Sequence, residues 1–135
     1  MALIEWKEEM SVGVVELDNH HKKLLAMINE LGVAIGENRG PDYVQHSISE
    51  LGDYAVYHFD LEHKYFLKYG YSETDEHMAE HTSFVEKIQN TANQIRDGRI
   101  LLSINFLYFM KDWLINHIMV VDQRYTPLLL EKGIR

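Results

Sequence analysis

Four stretches of the chain repeat apolar or histidine positions at steps of three and four, the spacing that lines up one face of an α-helix. The first runs Leu17, His21, Leu24, Leu25, Ile28, Leu31 and Ile35, with Asp18 placed to cap its start. The second is Val44, Ile48, Leu51, Ala55, His58, Glu62, Phe66 and Tyr69. The third is His77, His81, Phe84, Ile88, Thr91 and Ile95, with Ser72 or Thr74 as its cap. The fourth is Phe106, Met110, Trp113, His117 and Val120 or Val121. Between them fall Asn38-Arg39-Gly40-Pro41, Tyr69-Gly70-Tyr71-Ser72 and Asp97-Gly98-Arg99, each with the Gly or Pro that ends helices.

Helices of roughly 18–28 residues would be about 30 Å long or more. Short turns between them make neighbours antiparallel. No stretch alternates at period two for long enough to build a sheet. The pattern predicts an all-α fold, an up-down-up-down four-helix bundle over residues 18–135, preceded by an extended arm over 1–17 that packs through Trp6 and Val12. We read the whole as one domain, which 135 residues suit.

Composition narrows the chemistry. There is no cysteine, which excludes thiolate metal sites and disulfides. A net charge of −8 argues against nucleic acid as a partner. The apolar run from Ile100 to Val121 is interrupted by Lys111, Asp112 and His117, so it reads as a buried helix rather than a membrane span. The N-terminus is too acidic for a signal peptide. A cytoplasmic protein is the expectation.

Eight histidines are the anomaly. His21, His58, His77, His81 and His117 lie on the predicted core faces, as does Glu62. His20 is one position, about 100°, off its stripe. We expect it to face solvent with His46 and His63. A single inward histidine is ordinarily a buried imidazole satisfied by a neighbour. Several on facing helices are costly to bury without partners, and a metal satisfies many at once. Asp122 lies five residues after His117, about 140° round a regular helix, and would pass alone for a surface residue.

The stretches Asp18-Asn19-His20-His21-Lys22-Lys23-Leu24, His58-Phe59-Asp60-Leu61-Glu62, His77 through His81 with Phe84, and Trp113-Leu114-Ile115-Asn116-His117-Ile118 through Asp122 together resemble the hemerythrins, in particular the single-domain bacterial ones. The resemblance covers Trp6 and Val12-Gly13-Val14 to about Tyr125. It implies two non-haem iron ions. His77, His81 and His117 would bind one and His21 and His58 the other, with Glu62, Asp122 and an oxo or hydroxo group bridging. Three histidines then complete one iron, and two leave a vacancy on its neighbour for dioxygen. Phe59, Trp113, Leu114 and Ile118 match apolar residues of the family's oxygen pocket; ordinary core packing would also explain them. His63 stands where many bacterial members have a second glutamate, and Phe66 where a methionine is common.

The function implied is oxygen storage, delivery or sensing, without enzymatic activity. The same centre could instead serve a redox enzyme acting on peroxide or nitric oxide, or a sensor with a separate partner. That the chain ends soon after the bundle favours a carrier. His77-Met78-Ala79-Glu80-His81 also fits the inverted zinc-protease motif. Glu80 is one step off the stripe, however, and is expected to be solvated. A ferritin-like oxidase would use Glu-x-x-His pairs, and the chain has none.

Overall fold

The computed structural model describes residues 3–97 and 104–135. Four long helical segments follow the four stripes: α1 (Val15–Gly36), α2 (Pro41–Tyr69), α3 (Thr74–Arg96) and α4 (Ile104–Asn116). After α4 come a five-residue π turn, His117–Val121, and a 3-10 turn, Asp122–Arg124. A short α5 (Thr126–Glu131) closes the chain. Among the described residues there is no strand, and no helix is long and apolar enough to cross a membrane. The four-helix bundle is as the periodicity predicts. The expected turn at Asp97-Gly98-Arg99 lies largely outside the described residues.

The stripes bury themselves. Leu24, Leu25, Ile28 and Leu31 of α1 meet Ile48, Leu51 and Ala55 of α2, Phe84 and Ile88 of α3, and Leu107, Met110 and Leu114 of α4. A second cluster at the other end joins Val12, Val14 and Leu17 to Phe66, Tyr125 and Leu129. The ligand-type residues sit in the bundle interior with these apolar clusters around them.

Helix ends differ from expectation in two places. α1 begins at Val15, and Asp18 is not its cap. Its carboxylate accepts instead from the Val12 amide (2.8 Å) and the Ser11 hydroxyl (2.5 Å), tying the arm to the first turn of α1. Neither Ser72 nor Thr74 caps α3. The Thr74 hydroxyl donates to the Tyr71 carbonyl over 2.6 Å. Both side chains serve the preceding connection, a contact that helix-cap spacing alone does not distinguish.

The arm is held at two more points. Ile4 exchanges two 2.8 Å hydrogen bonds with the Asn29 side chain. Gly13 has φ of +75°, and a Cβ there would sit 3.2 Å from Leu130 of α5. Glycine is thus needed both for the backbone and for the approach of α5. At the α2–α3 turn Gly70 adopts the left-handed conformation (φ 68°), ending α2 so that α3 can return beside it.

Candidate metal centre

Each long helix delivers its polar inward residues to one level of the bundle. His21 comes from α1, His58 and Glu62 from α2, and His77 and His81 from α3. His117 and Asp122 come from the end of α4 and the turns after it. All seven are at most 3% exposed. The pairs on α2 and α3 are four residues apart and so share a face.

The fourth pair is five apart. A regular helix would splay them, as its periodicity requires. The backbone instead widens: the Asp122 amide bonds the His117 carbonyl in the five-residue register of a π turn. Asp122 consequently returns beneath His117, with Oδ1 3.1 Å from Nε2. The extra residue is accommodated where a site needs it.

Two groups of donors converge. Glu62, His77, His81, His117 and Asp122 have ligand atoms within 4.8 Å of one another, and so do His21, His58 and Glu62. Glu62 belongs to both. Its Oε1 lies 3.2 Å from His81 Nε2, 3.6 Å from His58 Nε2 and 3.8 Å from His77 Nε2. Asp122 reaches across as well: Oδ1 is 3.1 Å from Nε2 of both His77 and His117, while Oδ2 is 3.1 Å from His21 Nε2.

This polar cluster is incompletely satisfied by protein. Nε2 of His21, His58 and His77, Oε1 of Glu62 and both carboxylate oxygens of Asp122 are buried without a hydrogen-bond partner. His81 and His117 point their Nε2 atoms at each other over 2.9 Å. Buried donors and acceptors are rarely left so. Neutral imidazoles and carboxylates, all aimed inward, form the donor set that iron and similar transition metals take. The residues fit a metal pair.

Electrostatics agree. In the metal-free site, burial and Asp122 push the Glu62 carboxyl up. His58, with His77 and His81 close by, outweighs them and holds it below its ordinary range. Burial also opposes ionisation of Asp122, but His117, His21 and His77 hold its carboxyl low. Burial lowers His58 to about 3. It acts the same way on His117, yet Asp122, Glu80 and Glu62 raise that ring to about 10. Burial works against a charged His77 as well, but Asp122 and Glu62 outweigh it and raise that ring. Without a metal, the raised His117 thus sets a positive charge against the two carboxylates.

The structure adds three residues around the centre. Tyr125, fully buried, donates its hydroxyl to Glu62 Oε2 over 2.6 Å. His20, expected at the surface, is 8% exposed, with Nδ1 2.9 Å from His58 Nδ1. One step off the stripe turns it toward α2, against Tyr54 and Tyr57, rather than to solvent. A bundle helix buries a face at least 100° wide, so the neighbouring position is covered as well. Glu80, expected to be solvated, keeps a 36% exposed side chain but hydrogen-bonds His117 Nδ1 over 3.0 Å. His46 is exposed and His63 half-buried.

Apolar rings flank the cluster. Phe59 stacks on His81 with centroids 3.7 Å apart, and Trp113 on His117 at 4.5 Å. Phe59, Leu114 and Ile118 are almost wholly buried, and Trp113 is partly so. Phe66, fully buried, packs edge-on against His77 and also touches Tyr125.

A histidine–carboxylate metal site built between the helices of an antiparallel bundle defines the class. A family model described as the Hemerythrin HHE cation binding domain matches residues 12–129. A bacteriohemerythrin of Methylococcus capsulatus is 33% identical over 131 residues, 96% of this chain and 98% of its own. One from Clostridium acetobutylicum is 30% identical over 125 residues, covering 89% and 96%. A crystal structure of wild-type hemerythrin aligns with TM-score 0.88 and 31% identity, over 95% of this chain and 98% of that one. The chain belongs to the hemerythrin family, and it is similar to bacteriohemerythrins over nearly its whole length.

Proposed function

We propose that this protein holds two non-haem iron ions and binds dioxygen reversibly, as an oxygen-storage, delivery or sensing protein rather than an enzyme. The supporting observation is the asymmetry of the donors: one carboxylate, Glu62, is shared by a group containing three histidines and a group containing two. In this reading His77, His81 and His117 hold one iron and His21 and His58 the other. Glu62 and Asp122 would be the carboxylates shared by the pair, with an oxo or hydroxo group completing the centre. When bound, the iron pair would supply two-electron redox chemistry, and the two-histidine side would have the fewer protein donors.

The protein's own residues then have three tasks. The first is geometric. Asp122, brought under His117 by the π turn, offers one oxygen to each histidine group, at 3.1 Å from His117 and from His21. The second is orientation: Tyr125 fixes the Glu62 carboxylate, and His20 and Glu80 fix the rings of His58 and His117 from behind. The third is exclusion of water. Phe59, Trp113, Leu114 and Ile118 present no acid or base to the centre and keep protons from it. No side chain is assigned a catalytic role.

The reading is tested by anaerobic reconstitution with ferrous iron, followed by optical spectra before air, in air and after deoxygenation. Two irons per chain and a charge-transfer band that appears and disappears over repeated cycles are expected. Irreversible oxidation on first exposure, with turnover of peroxide, would point to a di-iron enzyme instead.

A further inference from the structure

Glu80 is the residue that the zinc-protease motif would make a water-activating base, yet here its carboxylate lies behind a ligand ring. Oε1 accepts from Nδ1 of His117 at 3.0 Å. On the opposite edge of the same ring, Nε2 faces Asp122 Oδ1 at 3.1 Å and His81 Nε2 at 2.9 Å. A neutral imidazole carries one N–H, so a proton donated at Nδ1 leaves the Nε2 lone pair free toward the centre. Trp113 stacks on the ring with its plane 10° from parallel, and so fixes the plane of the imidazole. Glu80 fixes its rotation within that plane.

The other ligand rings are treated differently. Nδ1 of His21, His77 and His81 has no hydrogen-bond partner. His58 Nδ1 meets another histidine, His20, rather than a carboxylate. Among the described residues, only His117 receives an anionic partner on its outer edge, which makes the imidazole a stronger donor. The carboxylate is therefore placed on the three-histidine side of the pair alone.

We propose that Glu80 is a positioning residue for the three-histidine iron: it holds His117 as the Nδ1–H tautomer and, by strengthening this one donor, stabilises the oxidised form of that iron over the reduced. The proposal rests on the di-iron reading and adds to it a means by which one half of the pair is tuned independently of the half that offers the vacancy. Glu80→Gln keeps an acceptor of the same shape and removes the charge. Glu80→Ala removes both.

Two measurements test it. In protein loaded with zinc(II), a diamagnetic probe, nitrogen-15 resonances of His117 should show a proton on Nδ1 in wild type and in Glu80→Gln, with that proton in fast exchange in Glu80→Ala. A His117 Nδ1 that carries no proton in the wild type overturns the proposal, whatever iron does. In ferrous protein under anaerobic chelator competition, Glu80→Ala should lose iron about 10–100-fold more readily. Glu80→Gln should keep its iron while the midpoint potential rises. An unchanged potential in Glu80→Gln together with unchanged iron retention in Glu80→Ala reduces Glu80 to a surface side chain. Failure of the wild type itself to hold two irons would sink the di-iron reading separately, and the zinc measurement would still decide the role of Glu80.

Discussion

The hydroxyl of Tyr125 lies 2.6 Å from Oε2 of Glu62, although the two residues are 63 positions apart and both fully buried. Burial and the charges of Asp122 and Glu62 hold the Tyr125 pKa well above its ordinary value, so it remains a donor across the working pH range. Tyr125→Phe leaves that carboxylate oxygen without its proton donor. A hydrogen bond to a charged group is worth about 1.5–3 kcal/mol. We expect the metal-free variant to lose stability of that order in urea unfolding; an unchanged midpoint would mean that Glu62 finds another donor.

Leu114 and Ile118 leave almost no surface to solvent beside His117. If this wall keeps water and protons from the oxygenated centre, Leu114→Ala should autoxidise faster than wild type. The decay of the oxygenated absorption in air measures this. An unchanged rate would remove Leu114 from the barrier.

Iron binding should depend on pH through displaced protons. With its pKa raised to about 10, His117 is protonated in the metal-free site at neutral pH, and His77 is raised as well. Charged His117 stabilises the metal-free fold fully below its ordinary pKa of 6.5, and that contribution is lost as pH rises through about 10. A metal needs the neutral ring, so apparent iron affinity should climb by about tenfold per pH unit for each proton displaced. Calorimetry in buffers of different ionisation enthalpy should detect proton release at pH 7. Binding without it would contradict a protonated His117 in the metal-free protein.

His20 supplies the partner behind His58. His20→Ala removes it, and iron held by the two-histidine group should be released about 10–100-fold more readily to a chelator. His20→Gln retains a hydrogen-bonding group and should recover most of the loss. Equal retention in His20→Ala and wild type would make the 2.9 Å contact incidental.

The parts of the site that the sequence reveals are those governed by helical period. His21, His58, Glu62, His77, His81 and His117 continue apolar stripes, and a polar residue on such a stripe is conspicuous because burying it demands a partner. Asp122 breaks the period. Its place could be inferred only from the family pattern, since the π turn that brings it under His117 has no signature in local propensity. Tyr125, His20 and Glu80 escaped for a related reason: each acts through a contact with another helix. Tyr125 does carry one signal in retrospect. It lies three residues beyond Asp122, a spacing that keeps two residues on the same side of a helical turn. The mistaken caps at Asp18 and Thr74 have a common origin as well, because their side chains can satisfy a turn or arm as readily as a helix end.

Gas stoichiometry separates reversible uptake of one dioxygen by an iron pair from its consumption. Anaerobic diferrous protein is titrated with oxygenated buffer at an oxygen electrode, then purged with argon and the released gas measured. One dioxygen should be taken up for every two irons and recovered on purging, with the same uptake in the next cycle. Oxygen that is consumed and not returned would contradict it.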